Sequence, residues 1–148
     1  MNIALRSAVG LVVYDSAQQR YLILRRNPRR YIGWGLIKGG IDEGETAQQA
    51  CLREAAEEIG VQFSPTVIQP LGHKCAYYDN THERIVLVEW FITHLVQQPP
   101  LILEREEWVD ARWATLHESL YELVWQSQQQ VLRVANESIA KKLAGFGQ

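Results

Sequence analysis

Residues 39–61 read GGIDEGETAQQACLREAAEEIGV, and this stretch predicts a glycine-containing loop followed by a helix. Thr46 and Gln49 form the T-x-x-Q pattern of a capping box, which marks the start of a helix. Gly60 stands where a left-handed residue ends many helices. The sequence therefore predicts a helix over about residues 47–59. The apolar side chains that we expect to face the core are Cys51, Leu52, Ala55, Ala56 and Ile59.

Three carboxylates lie on this helix at positions i, i+3 and i+4, which places Glu54, Glu57 and Glu58 on one face. Like charges at this spacing repel by roughly 0.2–0.5 kcal/mol per pair, and a cation among them would remove that cost. A solvated acidic face is the alternative interpretation. The glycine loop favours the cation, because Mg²⁺ binds carboxylate and carbonyl oxygens and keeps coordination sites for water and substrate phosphates. The pattern therefore predicts a polyphosphorylated substrate.

Segments rich in β-branched and aromatic residues surround this helix and predict a sheet. We expect strands over residues 8–14, 21–24, 67–78, 84–95 and 108–114, and irregular structure between 25 and 44. Capping-box patterns that begin at Thr115 and Ser127 predict two more helices at the end of the sequence. This order indicates an α/β fold in which helices cover both faces of a mixed sheet.

Composition limits the classes of protein to which the chain can belong. Its 148 residues are 47% hydrophobic and 22% charged with a net charge of −2, values typical of a globular domain, and we expect one domain over 1–148. No bulk positive charge is present to hold a long nucleic acid or an anionic membrane. Two cysteines form no disulfide framework, residues 1–6 lack signal-peptide features, and Glu89 interrupts the longest apolar stretch. We therefore expect a cytoplasmic protein, either a monomer or a homodimer.

The pattern Gly39-x5-Glu45-x7-Arg53-Glu54-Ala55-x-Glu57-Glu58-x-Gly60-Val61 resembles the 23-residue signature of the Nudix hydrolases. Its charged and glycine positions all match, whereas Ala55 stands where the family more often has a larger aliphatic residue. Residues 34–39 resemble the stretch before that signature, with Ile37 in place of the usual proline. The resemblance implies an α/β/α sandwich and the hydrolysis of a phosphoanhydride bond.

The resemblance also implies a set of site residues. The metal ligands would be Glu54, Glu57, Glu58 and the carbonyl of Gly39, and the ion would be Mg²⁺ or Mn²⁺. Arg53 and Glu45 would support these ligands. Many family members use one further acid six residues before a tryptophan, which corresponds to Glu107 before Trp113, with Glu104 and Glu106 as neighbouring alternatives. The catalytic candidates are therefore Glu54, Glu57, Arg53 and Glu107, and the general base stays open among the three acids.

Residues 25–38 carry five cations and no acid, whereas residues 42–58 carry six acids against Arg53 alone. Arginine and lysine hold phosphates well, and from this segment we select Arg26, Arg30 and Lys38 as phosphate ligands. Aromatic rings can stack on a base, and Trp34 and Tyr78 are the preferred candidates. Others with this potential are Tyr31, Tyr77, Trp90 and Trp108. A place in the core or on the sheet is the alternative for each aromatic residue.

The substrate expected from the resemblance is a dinucleoside polyphosphate or a nucleoside triphosphate. Residues 36–39, the spacing from Glu107 to Trp113 and the final helix pair are similar to family members that act on these compounds. Dihydroneopterin triphosphate and the 5′ end of RNA are the alternatives. A non-catalytic nucleotide-sensing module is a hypothesis from another class, and the retained acids argue against it.

Overall fold

A mixed sheet of seven strands, flanked by three helices, makes up the regular structure of residues 2–146, the part of the chain that the computed structural model describes. The strands are β1 Ala4–Asp15, β2 Arg20–Arg26, β3 Trp34–Gly35, β4 Ile37–Gly40, β5 Ile68–Asp79, β6 Arg84–Leu95 and β7 Trp108–Ala114. The helices are α1 Ala47–Ile59, α2 Leu116–Glu122 and α3 Gln126–Phe146, and a short 3-10 turn covers Pro65–Val67.

Strand β1 lies at the centre of the sheet. It runs parallel to β6 along its whole length, and its other edge pairs antiparallel with β4 and then with β2. Strand β5 extends the sheet beyond β6, and β3 and β7 pair with β2. A strand enclosed in this way is buried on both faces, which explains the unbroken apolar run over residues 8–14.

The helices bury the two faces of the sheet. Helix α1 packs Ala50, Cys51, Ala55 and Ile59 against one face, where the sheet contributes Leu11 and its neighbours. Helix α3 places four side chains on the opposite face of the sheet. They are Val131, Leu132, Ala135 and Ile139. The predicted α/β fold with helices on both faces is confirmed.

The predicted helix over 47–59 is confirmed as Ala47–Ile59. Both hydrogen bonds of the Thr46–Gln49 capping box are present: each side chain accepts from the backbone N–H of the other residue. Gly60 adopts the left-handed conformation at φ 69°. The Thr115 box starts α2 in the same manner. Strands β5, β6 and β7 begin and end within one residue of the predicted bounds.

Two predictions of local structure are wrong. Residues 34–40 contain strands β3 and β4, which owe their extended form to pairing with β2 and β1 rather than to an alternating sequence pattern. Ser127 does not cap α3, because that helix begins at Gln126 and the carbonyl of Trp125 accepts its first backbone hydrogen bonds. The side chain of Gln128 instead accepts a hydrogen bond from the backbone of Leu36 at 3.0 Å.

Across residues 2–146, every helix is either too short or too polar to traverse a lipid bilayer.

Gly10 allows the Trp90 ring to pack against the middle of β1. Trp90 is fully buried, and a methyl group at position 10 would overlap its six-membered ring. We expect Gly10→Ala to lower the free energy of unfolding by about 1–3 kcal/mol, as overpacked core substitutions do. Urea denaturation measures this change. Gly145→Ala, at an exposed position of α3 with no neighbour near the added methyl, is the control and should leave stability unchanged or slightly higher. Equal stability of the two variants would contradict the prediction.

Candidate active site

The three glutamates of α1 differ in their environments. Glu57 is 57% exposed and Glu58 is only 2% exposed, while Glu54 lies between these extremes. Helical periodicity places the three side chains on one side of α1, but β7 covers the end of that side, where the Trp108 ring meets Glu58. The acidic face predicted from the spacing of the three glutamates is therefore partly buried. It is not the fully solvated surface that the alternative interpretation describes.

Gly39 lies directly against the carboxylate of Glu54. Strand β4 pairs with β1 so that Gly39 stands opposite Val9, and this places the glycine under α1. A methyl group at position 39 would overlap the Glu54 carboxylate. The close approach of backbone and carboxylate is the arrangement in which both types of oxygen can bind one cation.

Arg53 joins the loop that precedes α1 to the acids of α1. Its Nε donates to Glu45 at 2.7 Å, and its Nη2 donates to the carbonyl of Gly40 at 2.8 Å. Its Nη1 donates to Glu54 at 2.8 Å and to Glu57 at 3.3 Å. The hydrogen bond from Arg53 lowers the pKa of Glu45 to about 2. Part of the positive charge expected among the acids is therefore supplied by Arg53 itself.

Glu58 is a buried carboxylate with one oxygen satisfied. Trp108 Nε1 donates to Glu58 Oε1 at 2.8 Å, whereas Oε2 is buried and accepts no hydrogen bond from residues 2–146. Burial raises the pKa of Glu58 well above its usual range, and the charges of Glu54 and Glu107 raise it further against the lowering effect of Trp108. Burial also raises the pKa of Glu54, although Arg53 opposes this. A cation at this point would stabilise both ionised carboxylates.

These residues fit a divalent cation. An orphaned carboxylate oxygen, a second carboxylate with a raised pKa and a glycine backbone meet at one place. Within the described part of the chain, no group of three or more acidic, histidine or cysteine side chains is arranged so that these side chains alone could hold a metal ion. An open donor set is what Mg²⁺ uses when water and substrate phosphates complete its coordination.

Arg26 lies beside this carboxylate cluster. Its Cζ lies 4.6 Å from the centre of the Trp108 ring and 5.4 Å from that of Tyr31. Its Nη1 is 3.6 Å from Glu107 Oε2, and its Nε is buried without a hydrogen-bond partner among residues 2–146. A β-bulge between Arg25 and Arg26 shifts the register against β7 and turns Arg26 toward Trp108. The side chain is 18% exposed and makes no hydrogen bond within residues 2–146.

The structure brings together seven of the candidate residues around the end of α1. They are Gly39, Arg53, Glu54, Glu57, Glu58, Arg26 and Glu107. Lys38 lies on the other side of β4 and its Nζ donates to the hydroxyl of Tyr77 at 2.7 Å. Tyr78 is exposed on β5, and the side chain of Arg30 is exposed after β2.

Two aromatic candidates have structural surroundings that limit their contact with a ligand. Trp34 packs against the core that α3 covers. Trp108 is buried, so its ring is not a base-stacking surface; its Nε1 binds Glu58 instead. Sequence reasoning did not identify this donor, since Trp108 and Glu58 are fifty positions apart and no local pattern links them. It also gave no role to Trp125, which packs edge-on against Tyr31.

The family model described as NUDIX domain matches residues 4–134. The chain belongs to the Nudix family. An RNA pyrophosphohydrolase of Wolbachia pipientis is 32% identical over 85 residues, which cover 57% of this chain and 49% of that protein. Among solved structures, the dihydroneopterin triphosphate pyrophosphohydrolase of E. coli superposes with a TM-score of 0.77 at 20% identity, covering 91% of this chain and 99% of that one. The Ap4A hydrolase of C. elegans also gives a TM-score of 0.77, at 22% identity, covering 92% and 98%.

The structural neighbours establish the Nudix fold of the chain. The chain spans about half the length of the curated relatives it matches first. The signature residues of the family are those that converge in this structure, from Gly39 through Arg53 to Glu58.

The hydrogen bond from Trp108 to Glu58 can be tested by a double-mutant cycle. Trp108→Phe removes the donor from a buried carboxylate, whereas Glu58→Met removes the carboxylate itself. We expect the two changes to be coupled by roughly 0.5–3 kcal/mol in the free energy of unfolding, because the donor matters only while the acid is present. Urea denaturation of the wild type, both single variants and the double variant gives this value. Additive losses would contradict the assignment.

Proposed function

We propose that this chain is a Mg²⁺-dependent hydrolase that cleaves a phosphoanhydride bond of a nucleoside triphosphate or a dinucleoside polyphosphate. The observation that carries the proposal is the pair Glu54 and Glu58: the partly buried Glu54 lies against the Gly39 backbone, and the buried Glu58 has one oxygen that is unsatisfied within residues 2–146. Family membership supports hydrolysis of an acid anhydride, and the neighbouring unsatisfied Arg26 supports a polyanionic substrate.

Each acid would have a separate task at this site. Glu54, Glu58 and the Gly39 carbonyl would hold Mg²⁺ or Mn²⁺, with Glu57 beside them. A divalent ion bound there supplies Lewis-acid stabilisation of the charge that develops on phosphate oxygens. Arg53 fixes the orientation of Glu54 and Glu57 through its hydrogen bonds. Glu57 and Glu107 are the more exposed acids, and they are the proposed acceptors of the proton from the attacking water.

Arg26 would bind the substrate phosphates. A guanidinium has five donors, yet Arg26 uses none of them in hydrogen bonds within residues 2–146 and has only the long ion pair with Glu107. The flanking rings of Trp108 and Tyr31 hold it in place and shield it from water. Charge-assisted bonds to a phosphate would satisfy those donors. The proposed roles of four other residues in substrate binding have less support. The side chains of Arg30 and Tyr78 are exposed, Lys38 binds Tyr77, and Trp34 packs against the core that α3 covers.

The 5′ end of RNA is a second candidate substrate. Arg25, Arg29 and Arg30 are exposed and lie close to Arg26 along the chain, and a cationic surface of this kind suits the backbone of a nucleic acid. A relative named RNA pyrophosphohydrolase supports the same idea. Phosphate release with Mg²⁺ can be compared among four kinds of substrate: nucleoside triphosphates, diadenosine tetraphosphate, dihydroneopterin triphosphate and triphosphorylated RNA. The substrate that is hydrolysed most efficiently distinguishes the possibilities. Binding of these compounds without turnover of any of them would instead indicate a nucleotide-sensing module.

Glu57→Gln is expected to lower kcat by several orders of magnitude and to leave the fold intact. The side chain is exposed and, within residues 2–146, forms an ion pair with Arg53 alone, so little packing is lost with its charge. Circular dichroism and urea denaturation check the fold, and phosphate release checks kcat. Chelation with EDTA should abolish the activity of the wild type, and excess Mg²⁺ should restore it.

Glu137→Gln, at an exposed position of α3, is the matched control and should behave as the wild type. Turnover of Glu57→Gln at the wild-type rate would overturn the role proposed for Glu57 in the site. EDTA-resistant activity would overturn the metal dependence.

Arg26→Met is expected to raise KM roughly 10–100-fold for ATP and for inorganic triphosphate alike, the range set by loss of a hydrogen bond to a charged group. Methionine keeps an unbranched stem between the two rings but carries no charge. Steady-state kinetics measure the change. Arg133→Met, at an exposed position of α3, removes a positive charge elsewhere and should leave KM unchanged. Equal KM values for the two variants would show that phosphates do not bind at Arg26.

A further inference from the structure

A continuous row of side chains leads from the buried Glu58 to the protein surface. Trp108 binds Glu58, Arg26 lies over the Trp108 ring, and Tyr31 lies against Arg26 at 5.4 Å. The next member is Trp125, whose ring centre is 5.4 Å from that of Tyr31. We call Trp108, Arg26, Tyr31 and Trp125 the aromatic row.

Exposure increases along the aromatic row. Trp108 is buried, Arg26 and Tyr31 are partly buried, and Trp125 is 47% exposed. The chain has five tryptophans, and the other four are buried or half-buried. Exposing an indole to water forgoes a large gain from burial, so a rigid tryptophan in this position suits contact with a ligand.

The backbone around Trp125 is fixed by hydrogen bonds. Trp125 lies in the three-residue connection between α2 and α3, and its carbonyl accepts the backbone N–H groups of Gln128 and Gln129. The preceding residue, Val124, donates to the carbonyl of Trp34 at 3.1 Å. The ring planes of Trp125 and Tyr31 are inclined at 70°. Because an edge-on contact covers at most one face of each ring, at least one face of the indole is left uncovered by Tyr31.

The chemistry of the aromatic row follows the order of groups in a nucleoside polyphosphate. The carboxylates and Gly39 suit the metal, Arg26 suits the phosphates, and an aromatic ring two steps of 5.4 Å further on suits a base. We infer that Trp125 stacks on the base of the substrate and makes the enzyme select nucleotides over polyphosphates that lack an aromatic ring. The inference rests on the proposed function.

Stacking of this kind contacts the flat face of a base and leaves the hydrogen-bonding groups on its edge without a partner. Every nucleobase has such a face, so affinity should differ little among ATP, GTP, CTP and UTP. Inorganic triphosphate would contact Arg26 and the metal but not Trp125. The ratio of KM for inorganic triphosphate to KM for a nucleotide therefore isolates the contribution of Trp125.

Trp125→Ala is expected to raise KM for ATP and GTP about tenfold, the effect typical of losing one stacked base, with kcat changed less than about twofold. KM for inorganic triphosphate should stay unchanged. Trp125→Phe keeps an aromatic face and should recover most of the affinity for nucleotides. Tyr121→Ala removes a neighbouring, almost fully exposed aromatic residue of α2 and serves as the matched control. Equal KM values for ATP in Trp125→Ala and wild type would overturn the inference.

A binding measurement separates this inference from the proposed function. ATP with Mg²⁺ should quench the tryptophan fluorescence of the Glu57→Gln protein, and inorganic triphosphate should not. The quench should persist with Tyr121→Ala added and disappear with Trp125→Ala added. If the wild type hydrolyses none of the substrates but the quench still depends on Trp125, the proposed hydrolase is refuted and the base contact is supported. Hydrolysis by the wild type with an unchanged quench in Trp125→Ala would refute the base contact alone.

Discussion

The hydrogen bonds of Arg53 hold the site in one geometry. One guanidinium binds the Gly40 carbonyl, Glu45 and Glu54, and so fastens the irregular loop over residues 41–46 to the middle of α1. Without this cation, the Gly40 carbonyl and the carboxylates of Glu45 and Glu54 would face one another with no intervening positive charge. Removing one partner of such a network leaves uncompensated charge, which costs far more than the network contributes as a whole. The close approach of β4 to α1 therefore depends on Arg53.

Glu58 and Arg26 differ from this network, because each is an ionisable group that is largely buried and incompletely satisfied. Within residues 2–146, Glu58 Oε2 and Arg26 Nε both lack hydrogen-bond partners; Glu58 lies at the N–H edge of the Trp108 ring and Arg26 lies over its face. A core built for stability alone would place apolar side chains there. Unsatisfied groups of opposite sign, held apart by one rigid indole, suit a ligand that brings a cation to one and an anion to the other. Buried polar atoms normally have hydrogen-bond partners, and exceptions such as these are expected at functional sites.

The features predicted from sequence are those set by neighbours along the chain. The caps at Thr46 and Gly60 and the bounds of α1 depend on residues within one or two turns, and they agree with the structure. The different exposure of Glu57 and Glu58 could not be predicted, because it depends on β7 covering one end of the helix face. Strands β3 and β4 exist through pairing with β2 and β1, and Trp125 contacts Tyr31 across most of the chain length. Such contacts follow from topology and leave no periodic pattern.

The structure also shows which of the five cations of residues 25–38 lies next to the acids. Residues 25–38 carry five cations, but the alternation of side chains along β4 directs Lys38 away from α1, and Arg25, Arg29 and Arg30 are exposed. Among the described residues of this segment, Arg26 alone lies between the rings next to the acids. Exposed arginines act through a field that salt screens, whereas a guanidinium shielded by two rings keeps most of its attraction for phosphate. Under the proposed function, recognition of a polyphosphate would thus be concentrated in Arg26, and the β-bulge that orients this residue would matter more than the number of positive charges around it.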